Sequence, residues 1–168
     1  MRERTPRSGW TILELAIVVT IIGLLAALAI PLFSVILKKS RFSALANDLR
    51  VHATAIQTYA GEYGSYPASF STPGAFIPEL EALDERLQST SWLQPTPVGG
   101  AFTWVYIAPS GTSRGSAYIQ LVEQPNNPFR ITLAQFVELD KAIDDGNIAT
   151  GYLQVAGNRI RYFLQLGD

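Results

Sequence analysis

The 168-residue chain contains no cysteine. A disulfide framework, a cysteine nucleophile and a thiolate metal site are therefore excluded. It has a single histidine, His52, which cannot make a metal site alone. The net charge is −1, so no basic excess suggests nucleic-acid binding. No glycine-rich phosphate loop, no H-E-x-x-H and no convincing pair of catalytic carboxylates occurs. Charge is also unevenly spread. From Leu15 to Leu37, a run of 23 residues, there is none. That exceeds the roughly 20 residues an α-helix needs to cross a bilayer.

What is present begins with "MRERTPRS", short and basic, followed by Gly9, Trp10 and the apolar run. Glu14 sits inside that run. A carboxylate near the centre of a membrane helix costs about 2.5–3.5 kcal/mol on insertion scales. Three readings compete. A secretory signal peptide would use "ALA" at 27–29 as its cleavage site and start the mature chain at Ile30, but Glu14 interrupts the apolar region and the run continues past the site. A plain anchor gives no reason for Glu14. Nor does the positive-inside rule orient it, with Arg2, Arg4 and Arg7 on one side and Lys38, Lys39 and Arg41 on the other.

The third reading rests on the segment "G-WTILELAIVVTIIGLLAALAIP". It resembles the N-terminus of type IV pilins and of the pseudopilins of type II secretion. Members carry a basic leader ending in Gly, then an aromatic residue, then Glu five positions beyond the cut, with Pro about 17 residues later. Here those positions are Gly9, Trp10, Glu14 and Pro31. Trp10 stands where members usually have Phe or Met. The likeness covers about the first 65 residues well and the rest in outline.

The resemblance implies a structural subunit, not an enzyme, with no cofactor. A prepilin peptidase would cut between Gly9 and Trp10 and methylate the new amine. The chain would be a single-pass protein of the bacterial inner membrane, its leader cytoplasmic and its C-terminal domain periplasmic. An assembly platform would draw it into a periplasmic or extracellular filament by self-assembly. The amine of Trp10 and the carboxylate of Glu14 would pair between neighbouring subunits. A type II secretion pseudopilus is the first expectation, because many pilins close their C-terminal region with a disulfide and this chain cannot. A type IV pilus and a DNA-uptake pilus are alternatives, the last alone implying nucleic acid. A membrane-anchored periplasmic binding or enzymatic domain is the alternative from another class.

The rest of the chain reads as an α+β fold. Residues 1–9 form the leader, 10–37 the transmembrane or filament-core helix and 38–64 its amphipathic continuation. Phe42, Leu49, Ile56 and Tyr63 fall seven apart, with Leu45, Ala53 and Ala60 on the same side, as a helix facing one partner surface requires. Gly61, Gly64 and Pro67 should end it, and Gly23 and Pro31 are the points where it should kink or loosen. Residues 65–100 form a loop and helical connection, with a short helix expected over 77–88. Residues 101–168 form an antiparallel sheet of about four strands, at 101–108, 117–123, 149–156 and 159–166, with one inserted helix. Thr132 and Gln135 form its capping-box pattern, and Gly157-Asn158 a two-residue hairpin turn.

Other motifs have plainer readings. "GTSRG" at 111–115 matches the nucleophile-elbow pattern, but a strand follows it where a helix should, and the only histidine lies upstream. It reads as a hairpin loop. His52 reads as a partly exposed helix residue. Lys38, Lys39 and Arg41 suit lipid headgroups or simple solvation. Asp140, Asp144, Asp145 and Asn147 gather oxygen ligands that could hold Ca²⁺, although their spacing is not that of an EF-hand and Asx-rich turns are common without metal. Some pseudopilins hold calcium in a loop late in the chain, so the resemblance adds to this expectation.

Overall fold

The computed structural model describes residues 9–69, 72–75 and 91–166. Residues 1–8 of the expected leader over 1–9, and the helix expected over 77–88, lie outside them. Two compact units divide at Ser40 and Arg41. Helix α1 (Ile12–Tyr63) belongs to both, and its backbone is helical at Gly23 and Pro31. Proline has no N–H, so the carbonyl four residues earlier, that of Ala27, loses its usual helical donor.

In the first unit, the apolar side chains from Ile12 to Leu37 are exposed all round, with Leu28 at 69%. A helix apolar on every side requires apolar surroundings. By length and composition it can cross a bilayer.

The second unit has a conventional core. Beyond a single 3-10 turn (Ser91–Leu93), the strands are β1 (Ala101–Ile107) and β2 (Ser116–Val122), helix α2 (Leu133–Ile143), then β3 (Leu153–Ala156) and β4 (Arg159–Gln165). The four strands form one sheet in the order β1-β2-β4-β3, and every neighbouring pair is antiparallel. Both expected hairpins form. Residues 149–152 stay outside β3, because Thr150 and Tyr152 are held by the carboxylates of Asp145 and Asp144 before the ladder begins.

The amphipathic half of α1 packs on this sheet, as its period predicts. Leu45, Leu49, Ala53 and Ile56 are buried in one cluster with Phe102, Trp104, Ile119, Leu121 and Ile160. Tyr63 departs from the expectation. It lies in the last turn of α1, 59% exposed, and stacks on Tyr59 at 4.5 Å. Gly64 follows with φ 71°, a left-handed conformation that glycine adopts without strain and that stops the helix. Trp104 secures the next loop by donating its Nε1–H to the Pro67 carbonyl at 3.0 Å. Ile56 is fully buried. Ile56→Ala should cost about 2–5 kcal/mol, read as a lower midpoint in denaturant with an unchanged slope.

Candidate functional site

The N-terminal end of α1 gathers the residues the sequence singled out. Gly9 and Trp10 precede the helix and are exposed, Trp10 by 71%. A side chain built on Gly9 would meet nothing within 4 Å. Nothing in the described fold therefore demands glycine there. The bond after Gly9 lies in accessible, non-helical backbone, as a peptidase requires.

Glu14 is held in its own chain. Thr11 is the residue just before α1, and Glu14 is the third residue in. The Thr11 N–H donates to Glu14 Oε2 at 2.9 Å, and the Thr11 hydroxyl donates to the same oxygen at 2.9 Å. In return the Glu14 N–H donates to Thr11 Oγ1 at 3.2 Å. This is a capping box, which satisfies two of the donors that every helix start leaves open. The pattern T-x-x-E was visible in "WTILE". It is the same signal read correctly at Thr132, whose N–H donates to Gln135 Oε1 at 2.9 Å. The negative carboxylate also lies at the positive end of the helix dipole. Glu14 thus has local partners before any neighbour arrives, which lowers the cost of carrying it within an apolar segment.

The remaining candidates fall elsewhere. Residues 111–115 form the loop between β1 and β2, two strands where an elbow needs strand then helix. His52 is not partly exposed but fully buried, edge-on to Trp92 at 5.1 Å and Phe102 at 4.9 Å. It occupies the stripe between Leu49 and Ile56, and the sheet covers it. Its Nε2 meets the Ser91 hydroxyl at 3.3 Å, while Nδ1 has no partner among the described residues. Burial depresses its pKa to about 4. Ser91 also meets the Asp48 carboxylate, which desolvation raises above its ordinary value. A serine and histidine in contact here have no acceptor on Nδ1 among the described residues, so the third partner of a triad is missing.

At the other end, α2 leads into the acidic loop. Asp144 and Asp145 follow its last turn. Asp144 Oδ2 accepts the N–H groups of Tyr152 and, at 3.4 Å, Leu153. Asp145 Oδ1 accepts the Asn147 N–H at 2.7 Å and Oδ2 the Thr150 hydroxyl at 3.1 Å. Asn147 Oδ1 accepts the Ala149 N–H at 3.3 Å. Asp140 is fully buried beside Phe136 and Leu139. Burial, and then the charges of Asp145 and Asp144, push its carboxyl up to about 6. Its place one turn after Phe136 was a sign that it follows the buried stripe of α2.

No protein-family model matches the chain. A relative, the type IV major pilin protein of Myxococcus xanthus (strain DK1622), is 40% identical over 75 residues. That stretch is 44% of this chain and 34% of the relative, so the chain spans about a third of that protein's length. The solved structure of the major type IV pilin of Clostridium difficile has the same fold, with a TM-score of 0.52. It aligns with 76% of this chain and 96% of its own, at 15% identity. Both likenesses are to type IV pilins, the first over part of the sequence and the second in fold. The long helix over a four-stranded antiparallel sheet is thus a pilin architecture. Within it, the capping box of Thr11 and Glu14 marks the start of the helix, just after the Gly9–Trp10 bond.

Proposed function

We propose that this chain is a pilin precursor, cut between Gly9 and Trp10 and assembled through its N-terminal helix into a filament. The carrying observation is the set of exposed apolar side chains described from Ile12 to Leu37, with an accessible Gly9–Trp10 bond just before the capped helix start. Such a surface is stable in a bilayer, and again in a bundle of identical helices. No catalysis by this chain is part of the reading. The peptidase and the assembly platform act on it from outside.

The charges then have a defined logic. Before cleavage, Glu14 is bonded among the described residues by Thr11. Cleavage creates a cation at Trp10, near the same depth. In a filament, the amine of one subunit reaches the Glu14 carboxylate of another, and each neutralises a charge that is costly alone. The pair acts mainly on axial register.

The Myxococcus relative favours a type IV pilus as the filament. The absence of cysteine still favours a secretion pseudopilus as the second reading. Mass spectrometry of sheared filaments tests the proposal. The expected mature chain starts at N-methylated Trp10. A chain beginning at Met1 or Ile30 would refute it. Deleting the gene separates the two machines, by loss of surface filaments or loss of secretion.

A further inference from the structure

Side chains alternate across a strand, so the residues between those of the core stand on the other face of the sheet. On β2 these include Tyr118 and Gln120, between Ala117, Ile119 and Leu121 of the core. The register brings them beside residues of β4 and β3. Tyr118 pairs with Phe163, and Arg161 lies opposite Gln120 on one side and Gln154 on the other. The rings of Tyr118 and Phe163 pack at 4.9 Å, and the Arg161 guanidinium stands 5.5 Å over the Tyr118 ring. The ladder between β2 and β4 shifts register between Ala117 and Tyr118, an irregularity that re-aims side chains locally. Here the face holds a cavity of about 270 Å³, lined by Ile107, Tyr118, Gln154, Arg161, Phe163 and Leu166 among others.

Aromatic pairs and a cation over a ring are ordinary on an exposed sheet face, and they account for the packing. They do not account for the charge. Strands β1 to β4 contain no Asp or Glu, and Arg161 is the one charged residue lining the cavity among the described residues. Its Nε is buried and has no hydrogen-bond partner there. Gln120 across the ladder is 4% exposed, and its Nε2 has none either. Two buried donors on facing strands thus lack an acceptor, where most buried donors have one. A water can satisfy a nitrogen, but it does not neutralise a guanidinium.

We propose that this cavity binds a small organic carboxylate, its anionic head on Arg161 and its apolar body against Tyr118, Phe163, Ile107 and Leu166. A guanidinium presents paired donors that match a planar carboxylate, and such charge-assisted bonds are the stronger kind. One arginine balances one negative charge, which favours a monocarboxylate over a phosphate. Two rings and two aliphatic side chains favour an apolar ring or short chain over a sugar. Gln154, on the strand beside Arg161, adds an amide that can bond the second carboxylate oxygen. Apolar walls with a few polar groups are the usual form of a small-molecule site. The volume falls just below the roughly 300 Å³ at which drug-sized sites begin, so the ligand is small.

The site is independent of the assembly reading and is tested on the full chain in detergent micelles. Benzoate is the probe, with benzamide as its uncharged counterpart and inorganic phosphate as a compact anion. Calorimetric titration should give a dissociation constant on the order of 1 mM for benzoate. Benzamide and phosphate should bind roughly tenfold more weakly or worse, since each lacks one half of the match. Arg161→Gln should weaken benzoate by roughly tenfold or more. Arg161→Lys should weaken it less, because the charge stays and the planar fork is lost. The Tm of each variant without ligand checks that the fold persists. Equal affinity for benzoate and benzamide would overturn the site, as would undiminished benzoate binding by Arg161→Gln. So would the absence of saturable benzoate binding to the unaltered chain. Benzoate that acts only by dispersing chains from one another, read by sedimentation, would assign the cavity to an acidic side chain of a second copy and overturn the free ligand.

Discussion

Glu14→Leu should leave the chain inserted in the membrane and should abolish filaments. Leucine is a better membrane residue than glutamate, so insertion does not suffer. On the proposed pairing, what is lost is the partner of the Trp10 amine. Breaking a buried ion pair by removing one member costs about 3–5 kcal/mol, because the other charge stays buried alone. That is roughly a 10²–10⁴-fold loss in the equilibrium for each added subunit. Processing should persist, because Gly9 and Trp10 lie outside the helix and are exposed. The experiment compares membrane-bound and sheared fractions by immunoblot, with the mature N-terminus checked by mass. Normal filament yield with Leu at 14 would sink the pairing. The variant also removes the acceptor of the Thr11 N–H and hydroxyl, so Thr11→Val serves as the control. It removes the hydroxyl but keeps the Thr11 N–H and the charge of Glu14. It should therefore reduce assembly far less.

The folded domain should lose about 3 kcal/mol between neutral pH and pH 4 through His52 alone. Burial holds the folded-state pKa of this imidazole at about 4, against about 6.5 when unfolded. Between those values the unfolded chain binds the proton and the folded chain does not. Stability therefore falls as pH falls through that window and levels off below it. Among the described residues no carboxylate bonds the ring directly, the Asp48 carboxylate meeting Ser91 instead. Its neighbours are Trp92, Phe102 and the Ser91 hydroxyl. Among the described residues in that shell, none can stabilise an imidazolium strongly. The expected drop in Tm is about 10 °C, followed by circular dichroism across pH. His52→Gln cannot take the proton, so its curve should be flat by comparison over the same window. Parallel curves for the two proteins would show that His52 is not the acid-sensitive group.

The contrast between these two residues shows where sequence reasoning holds. Glu14 was legible because its significance depends on spacing along one helix. Gly9, Trp10 and a carboxylate four residues on are facts of order, and the helix converts order directly into depth. The same holds for the stripe of Leu45, Leu49, Ala53 and Ile56, since a period of 3.6 residues determines one face whatever covers it. The strands at 101–107 and 159–165 were legible from aromatic and β-branched content, and the two-residue turn between β3 and β4 from Gly157-Asn158.

His52 and Asp140 were not legible in that way. Both are polar residues within apolar helical stripes, His52 between Leu49 and Ile56, Asp140 beside Leu139. Position on the stripe predicts burial, while residue type predicts exposure, and sequence offers no means to rank the two. The sheet decides. It lies across α1 closely enough to place Phe102 against the imidazole. The core around Phe136 and Leu139 likewise takes Asp140 in, and the loop from Asp144 to Tyr152 brings two more carboxylates to it. What the sequence determined by itself is everything set by distance along a helix: the spacing of Gly9, Trp10 and Glu14, the apolar length and the face that packs. What the tertiary structure decided is which polar groups lose water. Desolvation depends on surfaces brought together from distant parts of the chain, and no local pattern records them.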